Sequence, residues 1–243
     1  MSDKESLAGK KVSLVLGSGG ARGLAHIGVI RTLEAEGAHI DAIAGSSMGV
    51  LVGGIHAAGR LQAYEDWVCG LEQSDVLSLV DWTFSGGGLM KGRRIINKLE
   101  ELVGDLDIRD LKTDFTAVAV DINQGREVWL DRGPLFDAIR ASIAIPGLFT
   151  PHRYRGRTLV DGGLLNPIPV APTLRCMNDL TVVVDVNGPA NHESAEEPAK
   201  EKKETGEAGV WDKLKDFVDG FSSDKAPSDN QPGLVAVMLR SLD

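Results

Sequence analysis

Gly45-Ser46-Ser47-Met48-Gly49 is the stretch on which the reading of this chain turns. Before it, Ile40-Asp41-Ala42-Ile43-Ala44 has the length and apolar content of a short buried strand. After it, Val50 to Ala58 reads as a helix, with Gly59 to stop it. A strand, then G-x-S-x-G, then a helix is the context of a nucleophile elbow. The turn must reverse the chain within a few residues, which forces the serine into an unfavourable backbone conformation. Gly45 and Gly49 remove the Cβ atoms that would collide where strand and helix come close. Ser47 is thereby presented at a helix N-terminus, where partial positive charge favours a developing anion. Taken alone, the pattern equally describes a small-residue turn that only packs a helix on a strand.

Upstream, Lys11-Val12-Ser13-Leu14-Val15-Leu16 suits a parallel strand buried on both faces. Gly17-Ser18-Gly19-Gly20-Ala21-Arg22-Gly23 follows, and then a helix to Glu36, with Ile27, Ile30 and Leu33 at near-helical spacing and Gly37 as its stop. Strand, glycine loop, helix, strand, elbow, helix is a βαβα unit, which predicts a mainly parallel sheet with right-handed crossovers. The glycine loop has three readings. A dinucleotide fingerprint has a third glycine where Arg22 stands, and a phosphate-binding loop has G-K-S/T, which is absent. The third reading is an oxyanion hole at Gly19, Gly20 and Arg22, because consecutive glycines leave backbone N–H groups free to converge beside a helix N-terminus. A loop after the first strand and a serine after the second emerge at the same sheet edge, so this reading alone connects both motifs. Arg22 either adds positive potential there or faces solvent, and His26 reads as a satisfied, partly buried histidine.

Composition narrows the function. Over 243 residues, 42% hydrophobic content and 29 glycines allow a sizeable core with many tight turns. Aromatic content of 5% and a net charge of −9 argue against a nucleic-acid binder. Cys69 and Cys176 match no zinc or redox spacing, so both are expected to be buried or inert in a reducing compartment. Met1 to Lys11 is polar and charged, which reads as no secretory signal, and no apolar run approaches the ~20 residues of a membrane span. The expected location is the cytoplasm, with no cofactor or metal.

Downstream, Leu61, Tyr64, Trp67, Val68 and Leu71 form a core-facing stripe. Phe84 to Gly92 reads as a flexible loop bordering the cleft, and Ile95 to Val103 as a helix stopped by Gly104. Thr113 to Asp121 and Arg126 to Leu130 make a hairpin, and Pro134 opens a helix through Ser142. Arg157 to Val160 leads into Asp161-Gly162-Gly163, a carboxylate at a strand end exposed on a sharp turn. Asn166-Pro167-Ile168-Pro169 is expected to open another short helix, and Leu180 to Val186 to be a further buried strand.

With these motifs in view, residues 11 to 188 resemble the patatin-like phospholipases, in particular the bacterial branch related to neuropathy target esterase. The matching residues are Gly17 to Gly23, Gly45 to Gly49, Asp161 to Gly163, and the run Ala141-Ser142-Ile143-Ala144-Ile145-Pro146-Gly147. Ser18 stands where the family often has the first of three glycines. The resemblance implies a three-layer α/β/α fold, Ser47 as nucleophile and Asp161 as proton acceptor. Free Asp is a poor base for a serine hydroxyl, so the site must raise its pKa or stabilise the alkoxide. Of the five histidines, only His192 stands late enough for a Ser–Asp–His order, and it falls in a polar tail. The implied reaction is acylation of Ser47 by a lipid acyl ester followed by hydrolysis.

Residues 1–10 read as a tail, 11–188 as the hydrolase domain, 189–232 as an acidic linker and 233–243 as the start of a further helical segment. Between Ala190 and Pro232 there are 11 acidic and 6 basic side chains, −5 of the −9 total. Within the linker, 208–221 reads as an amphipathic helix with Val210, Trp211, Leu214, Phe217, Val218 and Phe221 on one face. Such a stripe either packs on its own domain or dips into a lipid surface as a peripheral membrane contact. The sequence leaves two rivals to the esterase, a nucleotide-binding regulator using the glycine loop and a catalytically silent interaction protein.

Overall fold

In the computed structural model, which describes residues 6–188 apart from 73–74, 76–78, 80 and 82–87, the first apolar run forms β1 (Lys11–Leu16), buried after its first residue. A 3₁₀ turn (Gly20–Leu24), α1 (Ala25–Ala35), β2 (His39–Ser46), α2 (Met48–Ala57) and α3 (Leu61–Cys69) follow. Next come β3 (Gly88–Met90), α4 (Arg93–Val103), β4 (Asp114–Asp121), β5 (Arg126–Leu130) and α5 (Leu135–Ser142). The described chain closes with β6 (Gly147–Phe149), β7 (His152–Tyr154), β8 (Arg157–Asp161), two 3₁₀ turns (Gly162–Leu164 and Ala171–Arg175) and β9 (Leu180–Val184).

The main sheet is seven-stranded and mixed, ordered β7-β8-β4-β2-β1-β9, with β5 also on β4. Its β9-β1-β2-β4 part is parallel, as the strand–helix alternation predicts. The β4–β5, β4–β8 and β7–β8 pairs are antiparallel. Two of these are hairpins, which need no crossover helix and so reverse direction at once. Leu14, Leu16, Ile43, Phe115 and Leu159 from the strands meet Ile30, Ile55, Leu135 and Ile139 from the helices in the fully buried core. Leu61 and Tyr64 of α3 join it, with Trp67 and Val68 partly covered, as the stripe predicts.

Along β4, Asp114–Val118 pair with Ala42–Ser46 of β2, and the next three residues, Ala119–Asp121, pair with Asp161–Leu159 of β8. β5 occupies Ala117–Asp121 from the opposite edge. Strands β2 and β8 therefore share one edge of β4 and approach each other tip to tip. Ser46 lies opposite Val118, and Asp161 lies opposite the adjacent Ala119.

Four expectations change. Among the described residues Leu180–Val184 is an end strand bonded to β1, and Leu180 and Val183 are 39% and 46% exposed, so it is not the buried strand expected. No helix starts at Asn166-Pro167, because these residues spend their carbonyls elsewhere. Asn166 O accepts from Ser46 Oγ and Pro167 O from the Ser18 N–H. Gly88–Met90, read as loop, is a short strand paired with β6, a long-range partner that local sequence does not reveal. Cys69 is exposed and Cys176 half-buried, so of the expectation that both are buried or inert the burial does not hold. No helix among the described residues is long and apolar enough to cross a membrane. The linker 189–232, its segment 208–221 and residues 233–243 lie outside the described residues, as do residues 1–5 and 84–87.

Candidate active site

Ser47 sits between the end of β2 and the first residue of α2, with φ 54° and ψ −121°. Only Ser47 and Arg155 among the described non-glycine residues have positive φ. A non-glycine residue in such a sparsely populated region carries strain on the order of 1–3 kcal/mol. The flanking glycines make the turn sterically possible. A Cβ on Gly45 would lie 2.7 Å from the Gly49 carbonyl carbon, and one on Gly49 would collide with the Leu16 carbonyl at the end of β1. The turn is held by the N–H groups of Val50 and Leu51, which donate to Ser47 O, and by Ser46 Oγ, which donates to Asn166 O at 2.6 Å.

The tip-to-tip meeting of β2 and β8 brings Asp161 against Ser47. Ser47 Oγ donates to Asp161 Oδ2 at 2.6 Å. Asp161 Oδ1 accepts from the Gly163 N–H at 2.7 Å, and the Asp161 N–H donates to Ala144 O at 3.0 Å. Asp161 does end its strand, but it is 4% exposed rather than presented to solvent, because the elbow closes over it. Burial pushes its carboxyl up from the ordinary 3.8 to about 6, against the opposing pull of the Ser47 hydroxyl and the Gly163 N–H. A carboxylate at that value titrates close to neutral pH and is a far better proton acceptor than a free one.

The glycine loop borders the same place. Gly163 lies against Ser18, a Cβ at Gly163 falling 3.0 Å from Ser18 Cβ. A Cβ at Gly23 would strike Met48, so the 3₁₀ turn rests on the elbow. Within the loop, the Gly17 N–H donates to Val184 O, the Ser18 N–H to Pro167 O, and the Arg22 N–H to Gly19 O. Among the described residues the amides of Gly19 and Gly20 meet no acceptor, whereas that of Arg22, also expected in the hole, is already engaged at 3.1 Å. The Arg22 side chain is exposed. The first two amides of the loop are thus bound to protein carbonyls and closed to a ligand.

His26 is wholly buried, and its Nε2 faces Gly17 O at 2.8 Å, so that nitrogen carries the proton and donates. Burial holds its pKa below the usual imidazole value and keeps it neutral. The other described histidines are far from any relay: His152 contacts Asp137 at 2.9 Å, His39 contacts Asp41 at 3.1 Å, and His56 faces Glu34 at 3.9 Å. Among the described residues, no histidine bonds Ser47 or Asp161, and no cluster of three His, Cys, Asp or Glu side chains stands ready to hold a metal ion. Sequence reasoning missed Ser142, whose hydroxyl accepts from the Ser47 N–H at 2.9 Å. It stands in the run Ala141 to Gly147, but nothing in that run tells which helix end meets the elbow.

A family profile described as patatin-like phospholipase matches residues 14–174. The chain belongs to the patatin-like phospholipase family. NTE family proteins of Mycobacterium tuberculosis and Mycobacterium bovis are 50% identical to this patatin-like chain over 178 residues, 73% of the chain and 49% of each relative. The lysophospholipase nte1 of Emericella nidulans is 31% identical over 188 residues, 74% of the chain and 12% of that protein. The patatin-like chain thus spans about half the length of its mycobacterial relatives, and much less of the fungal one. The crystal structure of VipD from Legionella pneumophila superposes with a TM-score of 0.54 at 16% identity, covering 65% of this chain and 46% of that one, a likeness of fold.

Proposed function

We propose that this chain is a serine hydrolase of lipid acyl esters, of the phospholipase or lysophospholipase type, that works through a Ser47–Asp161 dyad. The observation that carries the reading is the 2.6 Å contact between Ser47 Oγ and the buried Asp161 carboxyl, at the N-terminus of α2 and beside a loop whose Gly19 and Gly20 amides meet no acceptor among the described residues. Family membership and a relative named as a lysophospholipase support the substrate class.

Ser47 Oγ attacks the acyl carbonyl carbon while its proton passes to Asp161 Oδ2. The carbonyl π electrons move to oxygen, and the oxyanion is met by the N–H groups of Gly19 and Gly20 and the positive end of α2. Collapse re-forms the carbonyl and expels the alcohol, which takes the proton from Asp161 and leaves acyl-Ser47. Water then attacks the acyl carbon, giving its proton to Asp161. The second collapse releases the fatty acid and returns the proton to Ser47 Oγ. No histidine is needed, because burial has already raised the carboxyl into the working range.

The test is labelling with a fluorophosphonate and mapping of the modified residue, with fatty-acid release from lysophospholipid measured in parallel. Label on Ser47, and loss of both label and acid release in Ser47→Ala and Asp161→Asn, is the expected result. Acid release that survives Ser47→Ala refutes the mechanism.

A further inference from the structure

We propose that Ser142 is a positioning residue that holds Ser47 in its reactive conformation by bridging the place where β2 and β8 abut. Its geometry stands on the contacts alone, and its effect on hydrolysis rests on the esterase reading above. Ser142 ends α5 and has no solvent exposure. Its hydroxyl donates to Val118 O at 2.6 Å and accepts from the Ser47 N–H at 2.9 Å. The direction of both bonds is fixed, since a carbonyl only accepts and an amide only donates.

The two groups it joins are those that the ladder cannot satisfy at this point. Ser46 is the last β2 residue paired to β4, opposite Val118, and the next β4 position, Ala119, is taken by Asp161. The residue after Ser46 therefore has no place in the ladder, and positive φ turns it away from β4. A single oxygen from α5 fills the resulting gap. Two residues on, the Ala144 carbonyl accepts from the Asp161 N–H. One short segment, 142–144, thus braces both the hydroxyl and the carboxyl through their own backbones.

Without the Ser142 hydroxyl, a buried N–H and a buried carbonyl lose their partner, and buried polar groups left unpaired are costly. The nearest remedy is direct contact between the two. That draws the elbow toward β4, relaxes the Ser47 backbone and moves Oγ off Asp161. A serine that merely satisfies the core would alter stability and leave the reactivity of Ser47 untouched.

The experiment compares wild type, Ser142→Ala and Ser142→Thr, each confirmed folded at the assay temperature by circular dichroism. In Ser142→Ala, kcat on p-nitrophenyl butyrate falls on the order of 10²-fold with KM changed by less than about threefold, and fluorophosphonate labelling of Ser47 slows in step. Ser142→Thr, which keeps the hydroxyl, recovers most of the labelling rate. If Ser142→Ala does not fold, Ser142→Cys carries the same test, being near serine in volume and a weak hydrogen-bonding group. Labelling at the wild-type rate in the hydroxyl-free variant, or a kcat loss matched by the unfolded fraction, overturns the inference while the esterase reading stands. A wild-type protein labelled at Ser47 that cleaves no ester sinks the esterase reading, and the labelling rates still decide the role of Ser142. A wild-type protein not labelled at Ser47 overturns both.

Discussion

Lowering the pH from 7 to 5 is expected to silence the site while leaving the fold intact. With the Asp161 carboxyl at about 6, the ionised fraction falls from about 0.9 to about 0.09, so kcat/KM drops about tenfold. An aspartate at the ordinary 3.8 would stay about 94% ionised at pH 5, and activity would hardly change. The sign for stability is opposite. A carboxyl raised in the folded state binds its proton more tightly there than in the unfolded chain. Folding is therefore favoured below about 4, and that contribution is lost as pH rises through 6. Acid inactivation over this window is thus not unfolding of the site, and circular dichroism at pH 5 checks this directly. Hydrolysis of p-nitrophenyl butyrate, read at the isosbestic wavelength of the phenol and phenolate, gives the profile. Carboxyl ionisation is nearly athermal, so warming leaves the inflection in place, whereas an imidazole inflection moves down. A profile flat to pH 5, an inflection near 4, or one that shifts with temperature refutes the assignment of the base.

Asp161→Asn removes the buried ionisation, so at pH 8 it is expected to stabilise the fold by up to about 3 kcal/mol, the equivalent of about two pKa units, with the gain vanishing near pH 4. Urea unfolding at the two pH values checks this, and equal stability changes at both would count against the burial of a charged carboxylate. Gly19→Ala places a Cβ into Val186 and is expected to cut kcat on the order of 10²-fold by displacing the loop amides, as measured on soluble esters. Gly28→Ala, facing open space on α1, is the control and should raise stability by about 0.5–1 kcal/mol with activity unchanged. Phe115→Ala empties a position that is 1% exposed in the core and should cost about 3–5 kcal/mol in denaturant unfolding.

The parallel part of the fold was legible because βαβα punctuation is local. Gly37 and Gly59 stop helices where expected, and the apolar runs of β1 and β2 mark strands buried on both faces. Ser47 was legible for the same reason, since the glycines at 45 and 49 report a steric need within five residues. Asp161 was legible as a strand-end carboxylate, but its burial was not, because the group covering it lies 114 residues away. Ser142 was invisible as a partner, since a serine at a helix end has no pattern that names the carbonyl it will meet. The exposure of Leu180 and Val183 is not legible, because β-rich composition reports pairing, not which end of a sheet a strand occupies. Arg22 was expected as a donor from its place in the loop, but the chain folds back there and uses its amide on Gly19.

The abutment of two strands on one neighbour has a consequence for how much this chain can vary. The reach of the Asp161 carboxylate is measured from β4, through the Ala119–Asp161 pairing, and not from the Arg155–Gly156 turn at the far end of its hairpin. Lengthening that turn leaves the distance to Ser47 alone, whereas a one-residue slip of β8 along β4 would send the carboxylate to the other face of the sheet. Drift is cheap at the outer bend and forbidden at the inner stub, so loop diversity can accumulate on one side without detuning the chemistry on the other.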